Sequence, residues 1–243
     1  MSLKARNLTH AYHRKPALCG LDLAVAPGQV VGLLGPNGAG KSTAMGILAG
    51  QVQPDCGTVT LDGRCLDGLA THQRARLGLV YLPQSPSVFR DCTVWENMSI
   101  AVQGLSGSRA QAEARLDELG ISNLRNTLAG SLSGGERRRL EIARSLVGKP
   151  KVLVLDEPFA GVDPIGIEGL QRILLELSQG GLGILLTDHA VEATLGICDH
   201  AVIIDAGTVM KGGCPEVVAE DEHVRARYLG RQFILKMASK PGT

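Results

Sequence analysis

Residues Gly35, Pro36, Asn37, Gly38, Ala39, Gly40, Lys41, Ser42 and Thr43 satisfy the spacing G-x-x-x-x-G-K-[ST]. Backbone this poor in side chains lets successive N–H groups curl around phosphate oxygens, and a helix beginning at the lysine adds its positive N-terminus. Lys41 is placed to reach the β- and γ-phosphates of a nucleotide, and Ser42 to offer a hydroxyl to Mg²⁺. A flexible glycine turn is the competing reading. The apolar run Val30–Leu34 before the loop and the helix-compatible stretch Lys41–Ala49 after it argue against that alternative.

Asp156 and Glu157 follow the apolar run 152–155. Two carboxylates at the C-terminal end of a buried strand lie where ligands gather in open α/β sheets, and their charge calls for a cation. Asp156 suits Mg²⁺ and Glu157 suits the orientation or deprotonation of an attacking water. Alone, such a pair as readily caps the next helix; behind a complete phosphate loop it points to chemistry. Leu132, Ser133, Gly134, Gly135 and Glu136 open a helical stretch, with Ser133 and Glu136 in capping-box spacing. The two glycines expose N–H groups at a helix start, a second anion site in the same chain.

These residues need elements to hold them. Short β segments with turn chemistry at Pro27-Gly28 and Asp62-Gly63 predict a small β-rich N-terminal lobe. Helical periodicity runs from about 94 to 147, including 109–119 and 136–146. Strand signals return at 152–155, 183–187 and 201–204, with a helical stretch at 167–177 between the first two. Apolar strands alternating with helices predict a parallel sheet covered on both faces.

At 243 residues, 44% hydrophobic, 20% charged and a formal net charge of +1, the composition is that of an ordinary folded domain. It carries no electrostatic footprint for nucleic acid: the run Arg137, Arg138, Arg139 is followed by Glu141 and reads as a solvated helix face. The longest apolar runs are strand-sized, and the N-terminal residues lack an apolar signal core, so a cytoplasmic location is expected. Six scattered cysteines form no C-x-x-C pair and read as buried or incidental thiols.

The phosphate loop, Gln84, the 132–136 run, Asp156 with Glu157, and His189 occur in the order and spacing of the ABC ATPases, and the chain resembles that family over essentially its whole length. The resemblance implies one ABC ATPase domain over 1–237: a P-loop α/β core, an N-terminal antiparallel β subdomain and an inserted α-helical subdomain at about 90–147; residues 238–243 extend past the resemblance and read as a disordered tail. It implies Mg²⁺-dependent hydrolysis of ATP in a homodimer packed head to tail. Each nucleotide would lie between one subunit's phosphate loop and the other's Ser133, Gly134, Gly135 and Glu136.

By the same resemblance Tyr12 stacks on adenine, Gln84 contacts Mg²⁺ and the attacking water, His189 touches the γ-phosphate and holds Glu157, and Asp163 lies at the dimer interface. Unaided, a lone tyrosine reads as core or surface, His189 as structural and Asp188 as a helix cap. Closer still, the segments 81–90 and 156–165, Thr187-Asp188-His189, and Tyr228-Leu229-Gly230 with Phe233 resemble the lipopolysaccharide-export branch of the family. The branched-chain amino-acid import ATPases come next. This branch implies two transmembrane permease subunits contacted near Phe89 and Arg90, and a peripheral place on the cytoplasmic face of the inner membrane. Phe89 folded into the subunit's own core is the alternative there. A soluble ABC protein such as an iron–sulfur assembly scaffold ATPase is the rival from another class; it usually departs after Asp-Glu, where this chain has Pro158-Phe159-Ala160-Gly161.

Overall fold

The structure is a computed structural model that describes residues 2–105 and 107–238. In chain order it runs β1 (Leu3–Tyr12), β2 (Lys15–Val25), β3 (Val30–Leu34), α1 (Lys41–Ala49), β4 (Cys56–Leu61), β5 (Arg64–Cys65), α2 (Thr71–Leu77) and β6 (Leu79–Leu82). Three helices follow, α3 (Val94–Gly104), α4 (Arg109–Glu118) and α5 (Gly134–Leu146). Then come β7 (Val152–Asp156), α6 (Pro164–Gln179), β8 (Gly183–Thr187), α7 (Val191–Leu195), β9 (His200–Asp205), β10 (Thr208–Gly213) and α8 (Pro215–Glu220).

The N-terminal strands form an antiparallel sheet in the order β2-β1-β4-β5. A tight turn joins β1 to β2: Tyr12 pairs with Lys15, and His13 and Arg14 both take the positive φ that a two-residue hairpin needs. Burial alternates along β2, where Leu21, Leu23 and Val25 point inward.

The second sheet has the order β10-β9-β3-β8-β7-β6, parallel throughout except for β10 on β9. Its central strands are buried along their whole length because both faces are covered. Val30, Leu153, Leu155, Ile184 and Leu186 face one core with Leu140 of α5 and Leu174 of α6. Their neighbours Val31, Leu33, Val154 and Leu185 face the other core with Met45 of α1 and the inner side of the antiparallel sheet. The period-2 alternation of a strand thus splits apolar runs between two cores.

Several expectations shift. Helix α5 starts at Gly134 rather than 136, because Ser133 Oγ accepts from the Glu136 N–H at 3.3 Å while Glu136 Oε2 accepts from the Ser133 N–H at 2.8 Å. Helix α6 starts at Pro164, since Asp163 caps it by accepting from the Gly166 N–H at 2.9 Å. The Arg137–Glu141 stretch is not a solvated face throughout: Arg138 and Glu141 are only 6% and 4% exposed and pair at 2.9 Å. Four of the six cysteines, Cys19, Cys56, Cys65 and Cys214, are exposed, and Cys198 alone is fully buried. Of the tail expected at 238–243, Ala238 donates its N–H to the Gly196 carbonyl at 2.8 Å, and 239–243 lie outside the described residues. Among the described residues no helix is long and apolar enough to cross a membrane.

Leu174 is fully buried beneath the parallel sheet. Leu174→Ala is expected to cost about 2–5 kcal/mol, from lost transfer energy and the residual cavity. Denaturant titration of both proteins reads this as a lower midpoint at unchanged slope.

Candidate active site

Four adjacent parallel strands, β3, β8, β7 and β6, deliver the site residues from one edge of the sheet. The register Gly32↔Leu186, Asp156↔Thr187 and Leu82↔Leu155 sets their ends side by side. The phosphate loop leaves β3, His189 follows β8, Asp156 ends β7 and Gln84 follows β6. This is the edge at which open α/β sheets bind ligands.

The loop's conformation requires its glycines. Gly40, at φ 108°, caps α1 so close to the preceding hairpin strand that a Cβ there would sit 2.3 Å from the Ala17 carbonyl oxygen. Lys41 is buried and its Nζ donates to the carbonyls of Gly35 at 2.7 Å and Pro36 at 3.0 Å. Burial lowers the pKa of this ammonium, while the charges of Glu157 and Asp156 oppose that shift. From the other end of the chain, burial pushes the Tyr228 phenol above its ordinary pKa, and the Gly35 backbone opposes that shift.

A cleft of about 450 Å³ opens between the loop and the hairpin, lined by the 37–43 backbone, Tyr12, Glu157 and His189. Tyr12 is half exposed over it, its ring at 83° to that of His10 with centroids 4.6 Å apart.

Glu157 is held from two sides. Gln84 Nε2 donates to its Oε2 at 2.6 Å, and His189 Nε2 lies 3.1 Å from its Oε1. Its backbone takes the left-handed region at φ 47°, pinned where its N–H donates to the Thr187 carbonyl at 2.8 Å. A non-glycine residue in that region is strained and persists only where its surroundings impose it.

Asp156 lies just behind and is 9% exposed. Burial pushes its carboxyl above the usual carboxylate range, against the pull of the Tyr81 hydroxyl, which donates to Oδ2 at 3.0 Å, and of the charges on Arg138 and Lys41. The Tyr81 phenol is pushed up in turn, by burial first and by the Asp156 charge second. A glycine cradle, an exposed serine hydroxyl and a buried carboxylate short of positive charge fit a nucleotide with a hard divalent cation.

The structure does not bring the second anion site to this cleft. Ser133, Gly134, Gly135 and Glu136 stand at the start of α5, and Asp163 at the start of α6. Bonding to Ser133 holds the Glu136 carboxyl below the usual range. Asp188 is not the cap of α7, whose capping residue is Ala190; its carboxylate accepts from the N–H groups of Phe159 and Ala190, both at 2.8 Å, and ties the post-Glu157 segment to the end of β8. Phe89 is 46% exposed, so it is not core; Asn97 clamps its backbone with bonds of 2.9 Å in both directions, and the Arg144 guanidinium lies 5.1 Å from its ring. Sequence reasoning missed Tyr81 and Arg138, since neither the strand nor the arginine run signals which side chain turns toward the carboxylates.

Comparison with known proteins agrees with this geometry. Residues 18–160 match the family described as ABC transporter. The chain is 46% identical over 235 residues to the lipopolysaccharide export system ATP-binding protein LptB of Acidithiobacillus ferridurans, covering 95% of this chain and 98% of that one. It is 44% identical over 239 residues to the protein of the same name from Escherichia coli strain K12, covering 96% and 99%. Among solved structures it resembles a nucleotide-free ATP-binding cassette from an ABC transporter, with TM-score 0.86 and 28% identity over 95% of this chain and 100% of that one. The ADP conformation of an ATP-binding cassette superposes equally well, at TM-score 0.86 and 28% identity over 95% and 99% of the two chains. With the phosphate loop, the paired carboxylates and the second glycine-opened helix in place on this fold, the chain belongs to the ABC transporter family, as one of its nucleotide-binding ATPase subunits.

Proposed function

We propose that this subunit hydrolyses ATP with Mg²⁺ in a head-to-tail homodimer and drives two transmembrane partners that extract lipopolysaccharide from the inner membrane, on whose cytoplasmic face it sits. The observation that carries the chemistry is the Glu157 carboxylate gripped by Gln84 and His189 at the mouth of the phosphate-loop cleft. Identity of 44–46% to the LptB proteins across nearly the whole chain supports the transported substrate.

Each residue has a role in this reading. The 35–43 backbone and the α1 N-terminus bind the phosphates, Lys41 exchanges its two loop carbonyls for the β- and γ-phosphate oxygens, and Tyr12 stacks on the base. Ser42, Gln84 and Asp156 would hold Mg²⁺, which when bound neutralises charge developing on the phosphates. Glu157 accepts a proton from water or orients it for in-line attack, with Gln84 and His189 fixing the carboxylate. Ser133, Gly134, Gly135 and Glu136 close over the γ-phosphate of the partner's nucleotide, and Asp163 sits beside the same seam. Phosphates bound from both sides close the dimer, and hydrolysis releases it.

Glu157→Gln keeps size and hydrogen bonding but removes the charge. It is expected to abolish phosphate release while ATP still binds, and to shift size-exclusion elution to the dimer in ATP and Mg²⁺, because bound nucleotide stabilises the state that binds it. A monomeric variant, or one with near-parental turnover, rejects the catalytic assignment.

The composite site is tested by complementation. Lys41→Ala and Ser133→Arg should each be inactive alone, whereas mixing the two restores about one working site per heterodimer. No recovery on mixing excludes head-to-tail packing.

Coupling is tested at Phe89, an exposed aromatic beside Arg90, both residue types that anchor interfaces. Asn97 holds the backbone there independently of the ring. Phe89→Ala should therefore leave folding and nucleotide binding intact and abolish co-purification with membrane partners; general misfolding would instead return Phe89 to a structural role.

A further inference from the structure

Arg138 lies on α5 with its charge almost wholly out of solvent, 6% exposed. Its guanidinium is spread over three acceptors. Nη2 donates to the Asp156 carbonyl at 2.9 Å; Nη1 donates to the Pro83 carbonyl at 3.1 Å and to Glu141 Oε2 at 2.9 Å. The first carbonyl belongs to the peptide unit that leads into Glu157 and the second to the unit that leads into Gln84. One rigid fork therefore holds both peptide planes from which the two side chains reach each other at 2.6 Å. Glu141 completes the clamp: its Oε1 accepts from the Ser87 N–H at 2.6 Å, fixing the loop beyond Gln84 to the same helix.

Stability does not call for this arrangement. A buried ion pair loses much of its Coulombic gain to desolvation, and a packed apolar pair commonly serves a core as well. The acceptors also do not belong to one element. They come from the end of β7 and from the loop after β6. The left-handed backbone of Glu157, at φ 47°, sits directly after the clamped Asp156 carbonyl, where an outside constraint is needed to keep it.

We infer that Arg138 is a positioning residue for hydrolysis: its guanidinium fixes the Asp156–Glu157 and Pro83–Gln84 peptide units relative to each other, so that Gln84 and Glu157 present one geometry to the attacking water. The inference rests on the roles given above to Gln84 and Glu157. Arg138 touches neither nucleotide nor water and acts through the main chain.

Arg138→Lys is the informative variant. It keeps a positive charge beside Glu141 but replaces a planar fork with a point donor that cannot hold both carbonyls. Expected is a kcat lower by roughly tenfold to a hundredfold, the range that follows from a slightly misplaced reacting group. The KM for ATP and the Kd for a fluorescent ATP analogue should stay near parental, since the phosphate loop and the adenine platform are untouched, while the thermal midpoint should fall by only about a few degrees, the cost of a buried carbonyl left without its donor. Adding Arg138→Lys to Glu157→Gln should lower the residual rate no further, because both act on one group.

Parental kcat in a folded Arg138→Lys protein overturns the inference. So does a loss of folding or of nucleotide binding together with kcat, which would assign the arginine to the scaffold. The two readings separate in one series: Glu157→Gln inactive with Arg138→Lys parental removes only the positioning role, whereas Glu157→Gln near parental removes the catalytic assignment and this inference with it.

Discussion

Asp156 and Glu157 stand at the end of a strand whose five residues are all buried, and placing negative charge there is the constraint that the surrounding structure answers. A carboxylate withdrawn from water costs several kcal/mol unless donors or cations replace the lost hydration. Asp156 receives the Tyr81 hydroxyl and feels Arg138 and Lys41, yet burial still dominates and its affinity for a proton stays raised. That residual deficit of positive charge is what a divalent cation would supply. Glu157, more exposed, is held instead by Gln84 and His189.

Lys41, Gln84 and His189 follow different strand ends, with Arg138 reaching in from α5, which is why a parallel sheet is the scaffold. Parallel ladders put the C-terminal ends of β3, β8, β7 and β6 on one edge, so a loop, a carboxylate, a glutamine and a histidine far apart in sequence become neighbours. The antiparallel lobe adds what the sheet cannot: the β1–β2 hairpin carries Tyr12 across the cleft, and β2 supplies the Ala17 carbonyl that only a glycine at 40 can approach.

Features that rest on short spacing were legible in the sequence. The phosphate loop, the capping box at Ser133 and the apolar strands before Asp156 and His189 each declare themselves within a few residues, because each is a local backbone device or a period-2 pattern. Tyr81 and Arg138 were not legible. Whether a half-buried strand tyrosine turns toward a carboxylate 75 positions later depends on pairing register, and an arginine in a run of three looks like solvated charge until the helix is docked. Asp163, expected by resemblance at a dimer seam, also has a local role that the sequence signals. Asp-Pro is a helix-start signal in its own right, and here the side chain caps α6 whatever it contributes at a dimer seam.

The same chain geometry joins its two candidate anion sites. Helix α5 packs so tightly on the segment after Glu157 that a Cβ on Gly134 would fall 2.3 Å from the Gly161 carbonyl oxygen. That segment is fixed at its start by Glu157 and at Phe159 by Asp188, and it ends at Asp163, the cap of α6. Helix α5 is also bonded to the Asp156 carbonyl through Arg138. The glycine-opened helix start and the Glu157 carboxylate therefore share two separate mechanical links within one subunit. In the head-to-tail dimer proposed above, the helix start would serve the partner's nucleotide and the carboxylate the subunit's own. Under the proposed head-to-tail arrangement, a displacement of α5 on gaining or losing the partner's γ-phosphate would pass to the backbone that carries Glu157, because packed interiors transmit strain rather than absorb it.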